Sequence, residues 1–174
     1  MTPNQAKLSI WTGDHSACIR IAGRANFTSS VDFKALVNEL LQRGCSCLAL
    51  DLSECQLMDS TFLGVLAGFG LKLSGGNGGH DPHAIELFNP SPRIIELLET
   101  MGVLHLFTTN QGAFNIPTEA QPVERTATTP TKVEVSRTCM EAHQTLMDIS
   151  PANAAKFKDV TQFLADSAKR SKGE

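Results

Sequence analysis

The spacing of hydrophobic positions along this chain changes period several times, and each change marks an element. In "KLSIWTG" and "ACIRIAG", Leu8, Ile10 and the stretch Cys18 to Ile21 alternate with polar residues at a period of two. The "GDH" between them supplies turn chemistry, so the two runs predict a β-hairpin. The period then lengthens. Phe33, Leu36, Val37, Leu40 and Leu41 recur at helical spacing in "TSSVDFKALVNELLQRG", with Ser29 or Ser30 placed to cap the start and Gly44 to end it. "CLALDLS" is a short, near-continuous apolar run, the pattern of a strand buried on both faces. A second helix is expected from Ser60 to about Leu73, closed by "SGGNGG". "AIELFN" reads as a strand. "PSPRIIELLETMG" reads as a third helix, with Ser91 as N-cap, Pro92 in the first turn and Gly102 past the end. "VLHLF" closes the unit as a short strand or turn. The order β-β-α-β-α-β-α predicts an α/β layer fold with right-handed crossovers.

After Phe107 the period disappears. "TEAQPVERTATTPTK" is rich in Thr, Pro and small polar residues and reads as a linker. Helical spacing resumes beyond it. Thr138 and Glu141 stand at capping-box spacing, and Met140, His143, Met147 and Leu146 fall toward one side of the helix that follows. Ser150 and Pro151 open another helix, in which Phe157, Val160 and Leu164 lie three to four apart. The expected division is a domain over 1–110, a linker over 111–135 and a helical extension over 136–174. Neither tail helix is apolar enough to stand alone. Met140, Met147, Phe157, Val160 and Leu164 are expected to pack on the main domain or on a second copy in a homodimer.

Composition narrows the class. The chain has 174 residues, 41% of them hydrophobic, enough for one real core. A net charge of −3 without a basic run argues against nucleic acid as a partner. The apolar stretch Leu63–Leu73 is interrupted by Gly64, Gly68, Gly70 and Lys72 and is too short to span a bilayer. No apolar leader is visible in "MTPNQAKLSI". The five cysteines, Cys18, Cys45, Cys47, Cys55 and Cys139, include no CxxC pair and read as reduced thiols, mostly small buried hydrophobes. The expectation is a soluble, cytoplasmic protein outside the membrane.

Few motifs carry chemistry. "GLKLSGG" places Lys72 before its glycines, the reverse of a phosphate-binding loop, so a weak nucleotide site there or at Gly75–Gly79 is a minor reading. His80, Asp81 and His83 lie close but on a Gly-rich loop without a distant ligand, so neither a metal nor another cofactor is expected. Ser60 follows a strand and opens a helix, but Met58 and Phe62 occupy the positions a nucleophile elbow reserves for Gly. None of the five histidines has a spacing that sets it beside Ser60, so an enzyme is not expected. What remains is "LMDSTFLG", where Asp59 or Ser60 caps a helix. A phosphate on Ser60 would add nearly two negative charges at a helix N-terminus, where the dipole tolerates them. The fold would survive, while a partner docked there would meet a new charge.

"LALDLSECQLMDSTFLGVLAG" followed by "IELFNPSPRIIELLETMGVLHLF" resembles the STAS domain of anti-sigma factor antagonists and sulfate-transporter tails. Asp51-Leu52-Ser53, Met58-Asp59-Ser60, Leu63-Gly64, Asn89 to Arg93, and Gly102 with Leu106-Phe107 carry the likeness over roughly residues 5–110. It implies a small mixed sheet with helices packed mainly on one face, here with a C-terminal helical pair added. It also implies a non-catalytic module that binds an anti-sigma factor or serine kinase-like protein. Ser60 would be the phosphoacceptor, with Asp59, Thr61 and Phe62 beside it in the partner-binding surface. Thr61 replaces the second Ser of the pattern and Phe62 replaces Gly. Phe62 is expected on the outside of the domain, since a side chain added where the pattern has none lacks a core slot. A scaffold or oligomerisation protein without a phospho-switch is the competing expectation.

Overall fold

A computed structural model describes residues 6–74, 84–113, 123–125 and 129–172. The predicted hairpin is β1 (Lys7–Thr12) and β2 (Ser16–Ala25), antiparallel with Ile10 opposite Ile19. Helix α1 (Phe27–Gln42) leads to β3 (Cys47–Asp51) and then to a short strand the periodicity does not reveal, β4 (Cys55–Met58). Next come α2 (Ser60–Ser74), β5 (Ile85–Phe88), α3 (Pro92–Thr100), a 3-10 turn at Leu104–Leu106 and β6 (Thr108–Asn110). A further strand, β7 (Val123–Arg125), lies in the stretch read as linker and pairs antiparallel with β1. The tail forms α4 (Lys132–Ile149) and α5 (Pro151–Lys172).

The sheet runs β6-β5-β3-β2-β1-β7, with β2, β3, β5 and β6 mutually parallel. β4 pairs with the far end of β2 after a register shift at Gly23/Arg24. Parity sorts the sheet faces. Leu8, Ile10, Ala17, Ile19, Ile21, Leu48, Leu50, Ile85 and Leu87 are buried on one face, and register lines up Ile19, Leu50 and Leu87. On the other face Cys18, Arg20, Ala49, Glu86 and Phe88 are only half-covered. β3 therefore buries one face fully rather than both, although Asp51 on the open side is buried by its ion pair to Arg20 Nε at 2.8 Å.

Local signals explain most helix ends. Ser91 Oγ accepts from Ile94 N–H at the start of α3, Pro92 follows it, and Gly102 takes φ +69 beyond the end. Two capping expectations are corrected. Asn26, not Ser29 or Ser30, caps α1, its side chain accepting from Ser29 N–H; both serines are buried within the first turn. The capping box of α4 is Thr131 with Glu134, not Thr138 with Glu141, so the helix starts at Lys132 rather than near 136. Thr138 lies inside the helix and is buried.

The tail packs on the same chain. α4 lies along α2, and Thr138, Ala142, His143 and Leu146 are its buried positions. Of the five residues expected to anchor the tail, only Phe157 is buried. Met140, Met147 and Leu164 are half-covered and Val160 is exposed. The anchoring face is rotated toward smaller residues because α2 offers glycines there: a Cβ on Gly64 would lie 2.7 Å from Ala142 Cβ, and Gly68 faces Thr145. Asn153, fully buried, holds the α4–α5 corner to α3 by donating to the carbonyls of Met101 and Leu146 at 2.9 and 2.8 Å.

The thiols are less buried than their composition implies. Cys55 alone is buried, Cys47 is exposed and the others are half-covered; burial pushes the Cys55 thiol up to about 11. Residues 80–83 and 75–79 lie outside the described residues. No helix among the described residues is long and apolar enough to cross a membrane.

Candidate functional site

β4 delivers the chain to α2. Asp59 N–H donates to the Ala25 carbonyl at 2.9 Å, fixing the turn against the end of β2. Asp59 then serves two helices. Its Oδ1 accepts from Phe62 N–H at 2.9 Å, capping α2, and its Oδ2 accepts from Phe27 N–H at 2.6 Å at the start of α1. Burial pushes the Asp59 carboxyl above its ordinary range; the N–H groups of Phe62, Phe27 and Thr61 and the nearby His143 pull the other way.

Ser60 is half-buried at the first position of α2. Its hydroxyl meets the tail: Ser60 Oγ lies 2.9 Å from His143 Nε2. His143 Nδ1 lies 2.7 Å from the Cys139 carbonyl. A carbonyl only accepts, so Nδ1 carries the proton in the neutral ring and Nε2 accepts from the Ser60 hydroxyl. Burial lowers the His143 pKa below its ordinary value of 6.5, outweighing the bond to Cys139 O and the charge of Asp59. Its ring packs against Phe157 with centroids 4.7 Å apart.

Thr61 is buried, its Oγ1 3.1 Å from Cys139 Sγ. Burial raises the Cys139 thiol, with the Thr61 bond opposing and Asp59 adding to the rise. Phe62 is a correction: it is fully buried, its ring 4.7 Å from Phe33 of α1, which in turn meets Phe69 edge-on at 6.2 Å. The slot a Gly would leave is filled because α1 supplies an aromatic partner for it. Phe62 therefore forms core, while Ser60 and Asp59 beside it are half-buried at the start of α2.

The expectation that no histidine stands beside Ser60 is also overturned. Eighty-three positions separate the two residues, and no spacing rule spans that distance. The available signal was His143 itself, on the apolar side of a predicted helix.

A mixed α/β sheet with a serine held at a helix start, and a helical tail laid over it, defines a small α/β domain with a helical extension. The chain belongs to the STAS family: the family model described as "Mlab, STAS domain" matches residues 11–108, over half of the chain. α4 and α5 lie outside that match. No curated protein matches the chain in sequence. Among solved structures, the chain is similar to the anti-sigma factor antagonist SpoIIAA in its unphosphorylated form, at 16% identity and TM-score 0.51, covering 61% of this chain and 88% of that one. It is also similar to the Bacillus cell fate determinant SpoIIAA in the phosphorylated form, at 17% identity and TM-score 0.49, covering 61% and 91%. At such identity the likeness shows the fold.

Proposed function

We propose that this protein is a non-catalytic binding module for an anti-sigma factor or serine kinase-like partner, switched by phosphorylation at Ser60. The observation that carries the reading is the position of the Ser60 hydroxyl. It stands at the N-terminus of α2 beside Asp59, where a helix dipole tolerates added charge and the fold stays whole. The family membership supports the class, and the match between Met58-Asp59-Ser60 and the family pattern supports the residue. A homodimer through the tail would use the Val160 and Phe163 stripe of α5, 41% and 68% exposed, rather than the α4 face already engaged in cis.

The Ser60–His143 pair favours a second reading, a nucleophile with its base. The surroundings weigh against it. The amides that would stabilise an oxyanion at the start of α2 are engaged: Phe62 N–H by the Asp59 carboxylate and Leu63 N–H by the Asp59 carbonyl. The cleft between α1, α2 and α4 is lined by Lys34, Asn38, Lys72 and Glu141 and includes neither Ser60 nor His143.

Incubation with candidate serine kinases and ATP, read by intact mass and peptide mapping, tests the acceptor. Titration of the partner so identified against wild type and Ser60→Asp tests the switch. The variant is expected to keep its circular dichroism spectrum and lose about tenfold or more in affinity. Equal affinity for both forms would leave a scaffold without a switch.

A further inference from the structure

The start of α2 is already occupied. Ser60 is met by His143, Thr61 by Cys139 and Gly64 by the backbone of Ala142, all from α4. These are the positions a partner docked at Ser60 would meet first. α4 lies outside the family-matched segment and reaches the site from the far end of the chain. We propose that α4 is a cis-acting cover of the α2 N-terminus, and that a partner or kinase reaches Ser60 only when α4 lifts away. The proposal rests on the reading of Ser60 as the partner-facing residue.

The seam is built to open. Its upper half is polar: Ser60 with His143 and Thr61 with Cys139 exchange these bonds for bonds to water on separation, which costs less than exposing an apolar face. The ion pair across its edge, Lys34 Nζ to Glu141 Oε2 at 2.6 Å, is solvent-exposed and weak. Beside that pair the three helices leave a cleft of about 220 Å³. The first turn of α4 is largely solvent-exposed, with Val133 at 59% exposure. The firm attachment is at the other end, where Leu146 is fully buried and Asn153 bonds to Met101 O and Leu146 O. α4, carrying Cys139, Ala142 and His143, can therefore swing about the α4–α5 corner. A phosphate on Ser60 would set new negative charge beside the Asp59 carboxylate and would not fit within the 2.9 Å now separating Ser60 Oγ from His143 Nε2, so it would oppose reclosure.

Cys139 reports on this seam, and Cys55, buried in β4, serves as an internal control for the domain. The test is peptide-resolved alkylation by iodoacetamide on the full chain, comparing wild type with His143→Ala, Gly64→Leu and Ser60→Asp. His143→Ala removes the latch, Gly64→Leu pushes α4 off sterically, and Ser60→Asp supplies charge. Cys139 labelling is expected to rise about tenfold or more in all three, with Cys55 unchanged. Unchanged Cys139 rates in His143→Ala and Gly64→Leu would overturn the cover. So would Cys55 rising in step with Cys139, because the tail would then not open apart from the domain. Raised Cys139 labelling together with undiminished partner affinity of Ser60→Asp would uphold the cover and remove the phospho-switch.

Discussion

Phe62 shows how one position changes the character of a site. It sits two residues after Ser60, yet the helix turns it into the α1–α2 interface, where it is fully enclosed and pairs with Phe33. Phe62→Ala is therefore expected to cost about 3–5 kcal/mol in urea unfolding, the range for deleting a buried aromatic ring, while leaving the Ser60–His143 contact to a different face. A loss below about 1 kcal/mol would mean that the slot collapses and that Phe62 is not a core residue. Asp59 is likewise more structural than its neighbourhood implies. One carboxylate caps α2 and also accepts from the first amide of α1, which Asn26 caps, so the starts of the two helices are tied together.

α2 is buried almost all round because three elements share it. The sheet lies beneath, α1 covers the Phe62 side, and α4 covers the side of Thr61, Gly64 and Gly68. A helix apolar on every face needs such cover. The α2–α4 seam also carries a titratable latch. His143 is held below 6.5 by burial against Phe157, so the docked form resists a proton that a released α4 accepts. Docking is thus fully supported above about pH 6.5 and weakens as pH falls from there toward the docked pKa, where the loss is complete. Asp59, raised from 3.8, works in the opposite sense; its proton is favoured in the folded state at the lower pH where carboxylates titrate. Amide spectra of α4 recorded from pH 7.5 to 5.5 should show exchange broadening confined to residues near the seam. His143→Gln should flatten that response.

At the scale of the molecule, the tail completes the domain. Leu146, Ala142 and Phe157 belong to the same buried cluster as the sheet residues, and β7 adds an edge strand to β1 between the two parts. Ending the chain after Thr131 would uncover the Gly64 face of α2, and is expected to lower the melting temperature and raise binding of an apolar dye. An unchanged melting temperature would show that α4 contributes nothing to the stability of the sheet domain.

The hairpin, β3, β5 and the helices between them were legible in the chain itself. Alternation in Leu8–Ile10, helical spacing in Phe33–Leu41, and Ser91, Pro92 and Gly102 around α3 are local signals, written within a few residues of the structure they specify. "LMDSTFLG" likewise marked a helix start with a serine in its first turn. β4 was hidden because Cys55, Gln56, Leu57 and Met58 show no clean alternation, and β6 and β7 because three mostly polar residues each are too few to show a period. The companion of Ser60 was beyond sequence reasoning for a different reason. His143 reaches it only through the packing of α4 on α2, and that packing is set by where the α2 backbone lacks side chains, at Gly64 and Gly68. Local propensity fixes which segments are helices; which faces meet depends on shapes contributed by residues far apart in the chain, and only the folded core brings those shapes together.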